Sequence, residues 1–188
     1  VNDWRPVKFS VNGQEVEFGG HGSQRLSSVL REHLNTKDVK VGCNAGDCGA
    51  CSVLVDDQIV CACLTAVTQV SGKRVDTVSG IGQSDPLMQT LQQAFLIYGA
   101  AQCGICTPGM LVSAYQLLKQ FPQPSEAQVQ DALGGVLCRC TGYRKILDAV
   151  INATALQVNG FESENEGSSV GSSVRKLDGE EKVSGTDE

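Results

Sequence analysis

Residues 42–51 read Gly42-Cys43-Asn44-Ala45-Gly46-Asp47-Cys48-Gly49-Ala50-Cys51, and a fourth cysteine, Cys63, follows after one hairpin length. The order Cys-x4-Cys-x2-Cys…Cys is the plant-type spacing for the ligands of a 2Fe-2S cluster. Each iron needs two thiolates, so three ligands come from one loop folded over the cluster and the fourth from a neighbouring strand. The glycines allow the positive φ angles and the close approach that this loop requires.

Two other interpretations of this first motif are a structural zinc site and a disulfide framework. Zinc prefers cysteine pairs spaced Cys-x2-Cys, which the Cys-x4-Cys-x2-Cys triplet fits poorly. Disulfides are typical of secreted chains, and no signal-peptide pattern precedes this sequence. The spacing therefore favours iron and sulfide over both alternatives.

Composition narrows the class of protein further. Nine cysteines in 188 residues, without secretory features, indicate metal ligation in a reducing compartment, and we expect a cytoplasmic protein. Most of the net charge of −6 lies in residues 162–188, so no basic surface for nucleic acid is predicted. The apolar runs are too short to span a bilayer. His21 and His33 are far from any cysteine pair, which argues against a Rieske centre.

The first part of the chain has the pattern of a small mixed sheet covered by one helix. Val7–Val11 alternates in polarity, and Asn12-Gly13 is a preferred hairpin turn before Gln14–Phe18. Apolar residues recur at helical spacing over 23–34. A second hairpin over 52–63 and short strands at 67–70 and 74–78 complete the β-grasp arrangement of ferredoxins.

Near Gly80 the spacing of apolar residues changes from a period of two residues to one of 3.6, and the pattern that follows is helical. Caps and breakers predict helices at 86–98, 107–121, 125–133 and 143–155, which suggests a compact bundle. Residues 161–188 are rich in Glu, Ser and Gly, and we predict a disordered acidic tail. The fold class is thus α+β: a β-grasp 2Fe-2S ferredoxin-like domain (1–81), a four-helix-bundle 2Fe-2S domain (82–160) and the tail (161–188).

A second cysteine constellation lies among the predicted helices. Its motifs are Gln102-Cys103-Gly104-Ile105-Cys106-Thr107-Pro108-Gly109 and Cys138-Arg139-Cys140-Thr141-Gly142, each just ahead of a helix. Helix N-termini offer free N–H groups and a positive dipole end to a negatively charged cluster. A second 2Fe-2S site is physically sensible here, although zinc is a stronger alternative than at the first motif.

One cysteine remains after these eight ligands are placed. In an extended strand Cys61 and Cys63 would point to the same face, so spacing does not decide which of them is the fourth ligand of the first cluster. The cysteine that is not a ligand would serve as a small buried apolar side chain.

Taken in order, these motifs resemble the iron–sulfur subunit or domain of the xanthine oxidase family of molybdenum hydroxylases. The resemblance covers residues 5–157 and rests on two unrelated cysteine patterns in the right order. It implies that Cys63, followed by Leu64, is the ligand rather than Cys61. It further implies a first cluster on Cys43, Cys48, Cys51 and Cys63, and a second cluster on Cys103, Cys106, Cys138 and Cys140.

The resemblance also implies a function and partners. In that family a large subunit carries a molybdenum–pterin centre, and electrons pass through both clusters, usually to FAD on a medium subunit. Gln102 and Cys140 would lie against the pterin, and Gly46 and Asp47 would face the flavin. No catalytic residue is expected in this chain. The alternatives are a freestanding 2Fe-2S carrier or sensor, and a zinc-stapled interaction module. The tail would be either solvated or an arm lying on a partner subunit.

Overall fold

A mixed β-sheet forms the N-terminal half of the molecule. The computed structural model describes residues 6–159 and 176–187. Its strands are β1 (Val7–Val11), β2 (Gln14–Phe18), β3 (Ser52–Val55), β4 (Gln58–Cys61) and β5 (Arg74–Asp76). They lie in the order β2-β1-β5-β3-β4, with β1 and β5 parallel and the other neighbours antiparallel. This is the β-grasp sheet that the sequence predicts.

Buried and exposed side chains alternate along β1, so the sheet has one apolar face that must be covered. Phe9 is buried, whereas Lys8 points to solvent. The buried face is covered by α1 (Leu26–Ser28), which continues as a π-helical turn over Val29–His33. The predicted turn is present, since Asn12 and Gly13 both have positive φ angles, 52° and 79°.

Helices make up the C-terminal half. They are α2 (Val78–Ser84), α3 (Pro86–Ile97), α4 (Thr107–Gln120), α5 (Glu126–Leu133) and α6 (Tyr143–Asn159). Asp85 caps α3 by accepting a hydrogen bond from the Leu87 N–H at 2.9 Å, and Ser125 caps α5 in a capping box. The predicted helices α3 to α6 are therefore confirmed. Within the described ranges, no helix combines the length and apolarity that a membrane crossing needs.

The structure corrects the sequence prediction at two places between the halves. Residues Val67–Val70 form a 3-10 helix rather than a strand, because Val67 and Val70, three residues apart, are both buried. The helix α2 was not predicted, since its two glycines weaken the helical signal. It runs across the predicted domain boundary between residues 81 and 82. The position of that boundary stays a prediction.

The prediction of a disordered tail is wrong for residues 176–187. They contain a short helix, α7 (Gly179–Ser184), whose Val183 is 2% exposed and belongs to the core of the helical half. This buried anchor, in a segment whose other apolar side chain, Leu177, is fully exposed, supplies packing that composition did not reveal. Residues 161–175 and Glu188, which the same prediction covers, lie outside the described residues.

Candidate iron–sulfur centres

The first loop brings Cys43 and Cys48 together. The N–H groups of Ala45 and Cys48 approach the Cys43 Sγ at 3.3 and 3.4 Å, and the Cys43 N–H approaches the Cys48 Sγ at 3.3 Å. These donors lower the pKa of the exposed Cys43 thiol to about 6. A Cβ added to Gly42 would lie only 2.9 Å from the Cys48 Sγ, so this wrap depends on glycine.

Cys51 and Cys63 form a second, buried pair in the same region. Each is 2% exposed, and the Cys63 N–H approaches the Cys51 Sγ at 3.4 Å. Burial, followed by the neighbouring Cys63 thiol, raises the pKa of Cys51 to about 12. A buried thiol of this kind becomes a thiolate when a metal supplies the compensating positive charge.

Cys61 occupies a different position from Cys63. Strand β4 ends at Cys61, so Cys63 lies beyond it in a turn, and the same-face argument for an extended strand does not apply. The Cys61 Sγ lies 4.0 Å from the Gly46 carbonyl oxygen, and burial raises its thiol pKa. The Cys63 N–H approaches the Cys51 Sγ, but the Cys61 side chain also interacts with Cys51, so the choice of Cys63 as the ligand stays a prediction.

Arg25 supports the first centre, a role that no sequence motif marked. Its Nη1 donates to the carbonyl oxygens of Asn44 at 2.6 Å and of Cys63 at 2.8 Å. One guanidinium therefore ties the cysteine loop to the turn that carries Cys63. The three groups are distant in sequence, so no local pattern could have predicted this contact.

The second constellation also gathers as two pairs. The side chains of Cys103 and Cys140 interact directly, as do those of Cys106 and Cys138. The Ile105 N–H lowers the pKa of Cys103, whereas burial, followed by the charge of Cys138, raises that of Cys106 to about 12. Cys106 is the N-cap residue of α4, as the position of the motif predicted.

Tyr143 supports this second centre from the start of α6. Its hydroxyl oxygen accepts a hydrogen bond from the Cys138 N–H at 2.7 Å. The tyrosine ends the Cys-Arg-Cys-Thr-Gly-Tyr motif of the family resemblance, but the sequence pattern assigned it no role beyond a helix start. The contact fixes the backbone beside one proposed ligand.

Each quartet contains two close cysteine pairs, and in the second quartet charge interactions also link Cys103 with Cys106 and Cys138 with Cys140. Among residues 6–159 and 176–187, no group of three or more His, Cys, Asp or Glu side chains is arranged to hold one metal ion. A 2Fe-2S cluster takes two thiolates at each of two irons, which is a donor set that each quartet offers.

The residues predicted to face partner cofactors lie on the surface or near it. Gln102 and Asp47 are exposed, and Cys140 and Gly46 are half-buried. The Gln102 amide rests on Gly142, where an added Cβ would lie 2.9 Å from its Nε2, and Leu64 covers Gly46. Their roles toward a pterin or a flavin stay predictions.

The two centres meet at the contact between the two halves. The Cys48 carbonyl oxygen accepts a hydrogen bond from the Leu137 N–H at 2.9 Å, and Leu137 directly precedes Cys138. Beside this bond, Gly49 packs against the backbone of Gly135 and against Gly109 in the first turn of α4. The loop of the first centre therefore contacts the loop of the second without an intervening side chain.

Family models match both halves of the chain. The 2Fe-2S iron-sulfur cluster binding domain matches residues 9–76, and the 2Fe-2S binding domain matches residues 77–151. Together they assign a 2Fe-2S cluster to each half. The fold and the site thus define a protein that carries two 2Fe-2S clusters.

Similar proteins narrow the class of 2Fe-2S protein to which this chain belongs. The chain is 39% identical to a probable subunit of xanthine dehydrogenase from Bacillus subtilis, over 74% of this chain and 80% of that one. It is 40% identical to the nicotine 6-hydroxylase small subunit of Paenarthrobacter nicotinovorans, over 78% of this chain and 88% of that one. It is also 42% identical to the aldehyde oxidoreductase of Megalodesulfovibrio gigas, over 84% of this chain and 18% of that one.

Solved structures agree with these sequence relationships. The aldehyde oxidoreductase from Desulfovibrio gigas superposes with a TM-score of 0.85 at 38% identity, covering 97% of this chain and 21% of that one. Quinoline 2-oxidoreductase from Pseudomonas putida 86 gives 0.76 at 35% identity, covering 83% of this chain and 97% of that one. The chain spans about a fifth of the aldehyde oxidoreductases it matches. It belongs to the iron–sulfur subunits and domains of the xanthine oxidase family of molybdenum hydroxylases.

Proposed function

We propose that this chain carries electrons within a molybdenum hydroxylase. It accepts them from a molybdenum–pterin centre on a large subunit and passes them through two 2Fe-2S clusters to FAD on a medium subunit or to an external acceptor. The observation that carries the proposal is the direct contact between the two cysteine loops, the 2.9 Å hydrogen bond from Leu137 to Cys48. Two redox sites in one chain transfer electrons to each other only if they lie close together, and this bond joins their loops.

The ligand assignment follows the observed pairs. Cys43 and Cys48 would hold one iron of the first cluster, and Cys51 and Cys63 the other. In the second cluster the pairs would be Cys103 with Cys140 and Cys106 with Cys138. When bound, each cluster supplies one-electron redox chemistry. The protein holds the thiolates, and its backbone N–H groups donate to the sulfurs and so tune the cluster.

The route of the electrons depends on which surface each partner covers. Gln102 and Cys140 would meet the pterin of the large subunit, and Gly46 and Asp47 would face the flavin. The exposure of Gln102 and Asp47 supports these roles, because both side chains are accessible to another subunit. With the hydrogen-bonded loops between them, the two surfaces would form the ends of one electron route.

The partners are inferred from the relatives. Those that match along most of their length carry the names of subunits, such as the nicotine 6-hydroxylase small subunit. We therefore expect this chain to work in an assembly in which other polypeptides bind the substrate, molybdenum and flavin. The thiol-rich composition fits a reducing compartment such as the cytoplasm.

Metal analysis of the native complex tests the proposal. A tag on this chain is used for gentle purification from the native host, and iron, molybdenum and zinc are measured. We expect about four irons per chain, together with molybdenum and a co-purifying large polypeptide. Iron without molybdenum would contradict the assembly and favour a freestanding carrier, and zinc in place of iron would overturn the redox function.

A further inference from the structure

The C-terminal segment, residues 176–187, is anchored to the helical half of the protein. Val183 of α7 is buried in the helical core, and its carbonyl oxygen accepts a hydrogen bond from Gln92 Nε2 at 3.0 Å. Gly179 lies against Leu96, since a Cβ added there would be 2.9 Å from the Leu96 Cδ2. The segment therefore lies in a fixed place on α3.

A second anchor joins the same segment to the β-grasp half. The Lys40 Nζ lies 2.9 Å from the Asp187 Oδ1 and donates to the Asp187 carbonyl oxygen at 3.1 Å. Gly185, at a φ of 81°, packs so closely on Asp38 that an added Cβ would overlap it. The segment thus contacts both halves, and its position relative to the second centre is determined at two points.

Between these anchors the segment places two lysines against the loop of the second centre. The Lys176 Nζ donates to the carbonyl oxygen of Gln102, the residue before Cys103. The aliphatic part of Lys182 covers Gly104, the residue after Cys103, where an added Cβ would lie 3.0 Å from the Lys182 Cγ. Asp178 forms ion pairs with both lysines, so the three side chains leave one net positive charge beside the loop.

We propose that the C-terminal segment is a positioning element that holds Lys176 and Lys182 beside the second cluster and thereby raises the reduction potential of that cluster. The inference rests on the proposed second cluster. Reduction adds one negative charge to a 2Fe-2S cluster, and a nearby cation stabilises the reduced form more than the oxidised form. Charge around the ligands is an established means of tuning a metal centre.

The geometry favours the reduced form of the second cluster, because the net positive charge of the three side chains lies beside the loop that carries Cys103. A higher potential would make the second cluster a better acceptor for electrons arriving from the pterin side.

Redox titration of the intact, iron-loaded chain, followed by electron paramagnetic resonance, tests the inference. Lys176→Gln is compared with the parent chain, with Lys176→Arg, and with Lys73→Gln, which removes an exposed lysine from the β-grasp half. We expect Lys176→Gln to lower the equilibrium constant for reduction of the second cluster by roughly threefold to tenfold. A tenfold change corresponds to about 59 mV in the reduction potential for one electron. The first cluster should not shift, and Lys176→Arg and Lys73→Gln should leave both clusters unchanged.

The outcomes separate this inference from the proposed function. Two signals in the parent chain support the two clusters, and the signal lost or altered in Cys106→Ser identifies the second. Absence of two signals would contradict the proposed function before any lysine is changed. With both signals present, an unshifted second cluster in Lys176→Gln, or an equal shift of both clusters, would overturn the positioning role. Loss of the second cluster in both Lys176→Gln and Lys176→Arg would also overturn it, since the contact would then be structural.

Discussion

The backbone N–H of Leu137 donates to the carbonyl oxygen of Cys48 at 2.9 Å, joining the loops of two cysteine centres that belong to different halves of the protein. Because Cys48 and Cys138 are proposed ligands of different clusters, this bond completes a short covalent and hydrogen-bonded path between them. The close backbone approach beside the bond depends on Gly49, which has a φ of 64° and meets the Gly135 carbonyl oxygen.

Gly49→Ala should disrupt this contact. An added methyl group would overlap the Gly135 backbone, so the two halves must move apart and the bond from Leu137 to Cys48 must lengthen. Gly72→Ala is the matched control, because Gly72 also has a positive φ, 72°, but has no atom within 4 Å of an added Cβ. Both variants carry the left-handed strain of roughly 1–2 kcal/mol. We expect only Gly49→Ala to slow electron transfer between the clusters, measured by rapid-freeze spectroscopy. Equal rates in both variants would contradict a route through this contact.

Cys106→Ser should remove or alter one cluster and spare the other. Cys106 is buried and pairs with Cys138, so its loss leaves one iron of the second centre with an incomplete pair of thiolates. We expect the first cluster to keep its signal while turnover of the whole enzyme stops. Cys61→Ser serves as the control, since Cys61 is not one of the eight proposed ligands, and both clusters should persist. Full turnover in Cys106→Ser, or a lost first cluster in Cys61→Ser, would refute the ligand assignment.

The rates at which the thiols of the iron-free protein are alkylated should differ, because their pKa values differ. The pKa of Cys43 is lowered to about 6, so its reactive thiolate predominates above that pH and is lost as the pH falls below it. The pKa values of Cys51 and Cys106 are raised to about 12, so these thiols stay protonated near neutrality. At pH 7 we expect iodoacetamide to modify Cys43 far faster than Cys51 or Cys106, as quantified by peptide mass spectrometry. In denaturant the three rates should converge, and equal rates in the folded protein would contradict the assigned environments.

Local sequence patterns predicted those elements whose signals are local. The Asn12-Gly13 turn, the capping box at Ser125 and both cysteine spacings all act within a few residues, and each is present in the structure. The parallel pairing of β1 with β5 brings Val11 beside Val75 across most of the β-grasp half. It depends on the whole sheet, and only the resemblance to ferredoxins made it foreseeable.

The site shows the same division between local and distant signals. Spacing identified both groups of cysteines but left open the choice between Cys61 and Cys63, for which only the family resemblance favours Cys63. Arg25 and Lys176 approach the cysteine loops from distant parts of the chain, so no motif marked them. Val183 is a single apolar residue among charged neighbours, too weak a signal to distinguish a docked helix from a solvated tail.

The ion pair of Lys40 and Asp187 should stabilise the protein measurably, because water is largely excluded from it. The two side chains are 9% and 20% exposed. The Asp187 Oδ1 lies 2.9 Å from the ammonium without the alignment of a hydrogen bond, so the attraction is mainly electrostatic. Among the described residues, Asp187→Asn would leave the Lys40 charge with the Asp187 carbonyl oxygen and without its negative partner. We expect a loss of roughly 1–3 kcal/mol in the free energy of unfolding.

Urea unfolding followed by circular dichroism measures this loss, and the pair of Lys8 and Glu17 provides the control. That pair is 3.4 Å apart with side chains 71% and 54% exposed, so Glu17→Gln should change stability by less than about 0.5 kcal/mol. Asp187→Asn should also make the C-terminal segment more susceptible to proteolysis, because one of its two anchors is weakened. If the two variants unfolded at the same urea concentration, with the segment equally protected, Lys40 would not anchor the segment to the β-grasp half.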